Sequence, residues 1–209
     1  MRNTNQMLLM SSGRMIAVLL ASLMFSSILD STVFSQSSNQ LAKPVQNSSS
    51  LSEGDSVGVF YVTKVAGADD DGVLPGEQLC YRCRYGSSPM IMVFVRRTGV
   101  RVTELVKRID TAVFSNRKRR LKGLVTMMGD SPSAVKAAAG EVAAAAKVEH
   151  VPVVVAKEVK TGPLNYKLPA DAEVTVVVAK DSQVVKTHTF TSEKVDIAAV
   201  MSEVEKILE

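Results

Sequence analysis

The sequence predicts an α/β domain, a mixed β-sheet with an N-terminal β-hairpin and helices on both faces. Three observations carry this reading. A continuous apolar run over 90–95 and the segments 121–128 and 151–156 read as three buried strands. Between them lie two segments with helical spacing, which makes the three strands parallel with right-handed crossovers. Two further segments, 174–179 and 183–190, flank Lys180-Asp181-Ser182, the pattern of a β-hairpin.

Each element has its own signal. The first strand is expected over 57–65, which is rich in Val, Phe and Tyr. Asp69-Asp70-Asp71-Gly72 and Pro75-Gly76 read as turns, the acidic one solvated. A short partner strand over 78–82 would close the N-terminal hairpin. In the first long helix, Val102, Leu105, Val106, Ile109 and Val113 form one apolar face over 102–114. Ser131 and Pro132 suit the cap and first turn of a second helix running to about residue 148. A loop with a short turn at 164–166 leads to the hairpin. The last helix starts near Val195, with Ile197, Val200, Met201, Val204 and Leu208 as its stripe.

Composition narrows the function. The 209 residues are 46% hydrophobic and 22% charged, as in an ordinary globule. A net charge of only +4, without aromatic residues interleaved among the basic ones, argues against nucleic-acid binding. Arg117-Lys118-Arg119-Arg120 reads as a solvated loop that keeps a helix end positive. Two cysteines exclude a disulfide-dense scaffold and a four-cysteine zinc site. With no Trp, the core must be built from Val, Leu, Ile, Ala and Met, so Met90, Met92, Met127 and Met128 read as core filling. His150 and His188 stand in no catalytic or metal-binding spacing. No nucleophile elbow or phosphate-cradling loop is present, and no cofactor is expected.

The N-terminal region reads as a targeting segment. Arg2 and Arg14 precede an apolar run over 15–29, and Val33 and Ser35 suit small-residue cleavage before Gln36. Residues 1–35 are therefore expected to be a signal peptide, 36–54 a flexible polar tether, and 55–209 the folded domain. The protein is then secreted or periplasmic. Uncleaved, the segment would be its contact with a membrane.

One motif carries chemistry, Cys80-Tyr81-Arg82-Cys83. Two thiols at this spacing can close a small, reversible disulfide. Arg82 and Arg84 would stabilise a thiolate and lower its pKa. In an oxidising compartment the pair rests as a disulfide. Three readings stand, namely a thiol–disulfide exchange centre with a protein thiol or disulfide as partner, a structural clip, and metal binding. His150 and His188 are too far along the chain to support the last.

The element order over 57–208 resembles the thioredoxin-like fold, in the peroxiredoxin variant that begins with a β-hairpin. Its best local match is 174–185, which resembles the family's closing hairpin. The segment Leu79-Cys80-Tyr81-Arg82-Cys83-Arg84-Tyr85-Gly86 resembles a motif of uncharacterised secreted bacterial members. The resemblance implies that Cys80, the N-terminal cysteine, attacks and Cys83 resolves. The chain departs from the family in three ways. Its cysteine pair precedes the first core strand, whereas the family's follows it. Arg96-Arg97-Thr98-Gly99-Val100 holds the usual place and has no cysteine. Val174 holds the family's cis-proline place.

Overall fold

The computed structural model describes residues 50–209. The expected signal peptide, and the tether up to residue 49, lie outside the described residues. The end of the expected tether is packed: Leu51 is buried, and its carbonyl accepts a 2.7 Å hydrogen bond from Thr187 Oγ1.

Among the described residues, seven strands form one mixed sheet. They are β1 (Val62–Ala66), β2 (Gln78–Leu79), β3 (Met90–Val95), β4 (Lys122–Met127), β5 (Val153–Ala156), β6 (Val174–Lys180) and β7 (Gln183–Phe190), in the order β2-β1-β5-β4-β3-β6-β7. As expected, β3, β4 and β5 are parallel, and the closing hairpin β6–β7 pairs antiparallel to β3. The N-terminal hairpin β1–β2 adds antiparallel to β5.

Three long helices follow the expected order: α2 (Val100–Ser115), α3 (Pro132–Ala146) and α4 (Ile197–Leu208). A short helix, α1 (Tyr81–Tyr85), precedes β3. Ser131 stands at the cap of α3 with Pro132 next, as the sequence indicates. Asp196 caps α4 by accepting from Ala199 N at 3.0 Å. The helix α3 stops two residues early, where Lys147 turns left-handed (φ 53°).

The strands separate two cores. Ile91, Val93 and Val95 of β3 point to one face with Val125, Val153, Val176 and the apolar stripes of α2, α3 and α4. Met90, Met92 and Phe94 point to the other with Leu124, Val154, Leu51, Phe60, Tyr81 and Tyr166. Both faces of β3 are therefore dry, which is why its sequence is an unbroken apolar run. Helices lie on both faces, but unequally. Among the described residues, the second face carries five-residue α1, a 3₁₀ turn at Leu164–Tyr166 and the extended segment before β1.

Two expectations are corrected here. Residues 57–61 are not part of the first strand. Val57 and Phe60 are the buried ones, a spacing of three that does not suit a ladder. Their backbone is bonded piecemeal, for example Val57 N to Ser182 O and Lys157 N to Tyr61 O. The expected second strand over 78–82 ends at Leu79, and the chain turns into α1 because both tyrosines of that helix are drawn inward. Tyr81 is fully buried, and Tyr85, one turn on, donates to Gly123 O at 2.7 Å.

Candidate functional site

The cysteine pair lies where β2 becomes α1. Cys80 and Cys83 form a disulfide across the first helical turn, with their Cα atoms 5.3 Å apart. Cys80 is the N-cap residue, and its Sγ accepts a hydrogen bond from Cys83 N at 3.1 Å. Gly86 ends the helix with a positive φ of 59°. The two sulfurs differ in environment: Cys80 is buried, with 7% of its surface accessible, and Cys83 is exposed. The family resemblance implies that Cys80 attacks. Exposure points the other way, because an external thiol can reach Cys83.

A buried charged network holds the ring from beneath. The Lys64 side chain is only 1% exposed. Its ammonium donates to Asp71 Oδ1 at 2.8 Å and to the carbonyls of Ala68 and Val73 at 2.9 and 2.8 Å. All three of its donors are satisfied, which is the condition for burying an ammonium. Asp71 also accepts from Val73 N at 2.7 Å and from Tyr81 Oη at 2.5 Å. Burial opposes ionisation of Asp71. The bonds from Lys64, Tyr81 and Val73 outweigh it and hold the carboxyl below its usual range. Burial, reinforced by Asp71, pushes the Tyr81 phenol far above its usual range. Asp71, expected in a solvated turn, is thus the hub that ties the β1–β2 loop to the middle of the cysteine motif. Sequence reasoning passed over Lys64. Its one signal is a lysine inside an apolar strand followed seven residues later by an aspartate.

The two arginines are anchored. Arg82 donates from Nε to Val57 O at 2.9 Å and from Nη1 to Gly86 O at 3.4 Å, and Arg84 donates from Nη2 to Asp71 O at 2.6 Å. These bonds fix two cationic groups on the helix that carries the disulfide. They run to carbonyl oxygens, so the arginines also tie neighbouring loops to α1.

The family's usual position, after β3, is built differently. Arg97 Nε pairs with Glu173 Oε1 at 2.7 Å. Glu173 also accepts from Ser192 N and Ser192 Oγ, both at 2.8 Å. These Ser192 bonds, with Arg97 beside them, hold the Glu173 carboxyl below its usual range. The cysteine pair precedes β3 and this position follows it, so the six residues of that strand lie between them along the chain. No cis peptide bond occurs among the described residues.

The remaining candidates are structural. The ring of His150 stacks on Phe114 at 4.6 Å, and that of His188 on Phe190 at 5.8 Å. Burial lowers the His188 pKa. Met90, Met92, Met127 and Met128 are all buried. The basic turn at Arg117–Arg119 is exposed, and Arg117 donates to Phe114 O at 3.2 Å, capping the end of α2. No three His, Cys, Asp or Glu side chains converge as metal ligands among the described residues. Nor is any helix there long and apolar enough to cross a membrane.

No family model matches the chain, and no curated protein matches it. Solved structures do. A candidate thiol:disulfide interchange protein DsbE from Chlorobium tepidum superposes with a TM-score of 0.56 at 14% identity, over 77% of this chain and 100% of that one. AhpC of Mycobacterium tuberculosis gives 0.57 at 14% identity, over 76% and 94%. A 2-Cys peroxiredoxin of Plasmodium vivax gives 0.53 at 12% identity, over 74% and 95%. Identities this low speak for architecture alone, and by that architecture the chain has the thioredoxin-like fold.

Proposed function

We propose that this is a thiol–disulfide exchange protein of the cell envelope or exterior, with Cys80 and Cys83 as its redox pair and a protein dithiol as partner. The observation that carries the reading is the division of labour between the sulfurs, Cys83 open to solvent and Cys80 buried at the helix cap. A partner thiolate attacks Cys83 Sγ and forms a mixed disulfide. The Sγ–Sγ bond breaks, and its electron pair leaves on Cys80 as a thiolate. That thiolate keeps the hydrogen bond from Cys83 N, and the charges of Arg82 and Arg84 favour it. The partner's second thiolate then attacks the partner sulfur and releases Cys83. The partner is oxidised to a disulfide, and the Cys80–Cys83 pair takes up the two electrons. The apolar segment after Arg14 and the disulfide's need for an oxidising compartment support the location.

The second reading is a structural clip. It is favoured by the anchoring of Tyr81, Arg82, Arg84 and Tyr85 around the ring, which reads as a device for holding loops. The reduction potential separates the two. The pair is equilibrated in defined thiol buffers, alkylated and read by mass spectrometry. A value between about −120 and −270 mV is expected of an exchange centre. A value below about −300 mV marks a structural bond and sinks the proposal.

A further inference from the structure

The parallel strands β3, β4 and β5 end on one side of the sheet, and the segments leaving them enclose a crevice of about 660 Å³. That volume is of small-molecule size, and the carboxyl ends of parallel strands are where open α/β sheets take ligands. Arg96, directly after β3, forms one wall. Asp130, after β4, forms a second, and the loop after β5 supplies Lys160, Lys167, Leu164 and Leu168.

The charge is unbalanced. Lys160 pairs with Asp130 at 3.3 Å. Among the described residues no carboxylate comes within ion-pair distance of Arg96 or Lys167. Arg96 is half-buried, and its guanidinium donates to Lys160 O at 2.6 Å and to Thr161 O at 3.2 Å. Those bonds fix the loop and leave three of its five N–H groups without a protein acceptor among the described residues. Burial lowers the Arg96 pKa, and the charge of Asp130 in the same crevice opposes that shift in part.

Lys167 has an exposed side chain on a constrained backbone. It sits in the left-handed region (φ 48°), which a non-glycine residue adopts only where its surroundings impose it. Its neighbour Tyr166 is fully buried, with its hydroxyl donating to Gly58 O at 3.0 Å. Leu164 is 74% exposed beside the crevice and Leu168 is half-buried. One anchored cation, Arg96, and one exposed cation, Lys167, thus line the crevice together with Leu164 and Leu168.

We infer that this crevice binds a small amphipathic carboxylate, its carboxyl group gripped by Arg96 and Lys167 and its hydrocarbon part lying against Leu164 and Leu168. The planar fork of an arginine matches a carboxylate's two oxygens. The site does not depend on the redox reading, since it shares no residue with the cysteine pair.

The test is an NMR titration of the full-length, oxidised, ¹⁵N-labelled chain with hexanoate, with acetate and 1-hexanol as the charge-only and chain-only controls. Saturable shifts are expected at the amides of Gly129, Thr161 and Lys167, with both controls binding at least about tenfold more weakly. Lys167→Asn keeps a residue that tolerates the left-handed backbone, and Arg96→Lys keeps the charge but loses the fork. Each is expected to weaken hexanoate by about tenfold or more. Saturation absent up to about 10 mM overturns the inference. So does binding that either control reproduces, binding indifferent to Lys167→Asn and Arg96→Lys, or shifts centred on the basic turn 117–120.

Discussion

Replacing Asp71 by Asn probes the network beneath the cysteine ring. The side chains are nearly the same size, so the chief loss is charge. Lys64, 1% exposed, would keep its ammonium with no counter-ion, while Tyr81 Oη and Val73 N would face a weaker acceptor. Removing one partner of a buried ion pair costs about 3 to 5 kcal/mol. The Asp71 side chain is 18% exposed, so water recovers part of this and the lower end, about 3 kcal/mol, is expected. For a domain of this size that lowers Tm by about 6 to 12 °C. The assay is urea unfolding and calorimetry of the oxidised protein across pH.

The sign of the pH effect follows from the direction of the shift. The folded Asp71 carboxyl lies below its unfolded value, so its contribution is complete above about pH 4 and is lost as pH falls through the folded value. Asp71→Asn should therefore weaken the protein most at neutral pH and flatten the acid limb of its stability curve. A loss under about 1 kcal/mol at neutral pH, with the acid limb unchanged, would refute the view that this pair organises the loop.

Three other outcomes are expected. On the reduced protein, brief iodoacetamide treatment should alkylate exposed Cys83 several-fold faster than buried Cys80, and peptide mass spectrometry giving the reverse order would remove the entry role of Cys83. Asp110→Ala should cost about 3 kcal/mol by urea unfolding, because the Asp110 carboxylate accepts from the consecutive amides of Glu149, His150 and Val151 at 3.2, 2.8 and 2.9 Å and so ties α2 to the start of β5. Gly123→Ala should cost about 1 to 3 kcal/mol in the same assay, since a Cβ there would sit 2.7 Å from Val151 Cγ2 and 3.1 Å from Val113 Cγ2; an unchanged midpoint would mean that the core has slack at that point.

Much of the architecture is written locally. A buried strand announces itself as an unbroken apolar run, and 90–95 and 174–179 could be placed almost to the residue because both their faces are dry. The stripes of α2 and α4 follow from periodicity, since a helix repeats its buried positions every turn. The order of these elements was enough to indicate the thioredoxin-like fold and its closing hairpin. The sequence also singled out Cys80 and Cys83 as the one pair able to do thiol chemistry.

What periodicity could not supply depends on partners distant in sequence. Residues 57–61 have strand composition, yet their hydrogen bonds go to Lys157, Asn165, Tyr166 and Ser182, so no ladder forms. Asp71 looked like one acid among three in a turn. Only burial of Lys64 beside it made that carboxylate a hub, and desolvation is a property of the assembled core. The same holds for the two sulfurs. Spacing says they can bond, but which of them meets solvent is decided by how α1 lies against the second face of the sheet. The crevice beyond β3, β4 and β5 joins Arg96 to Lys167, seventy-odd residues apart, and only the parallel register brings those strand ends together.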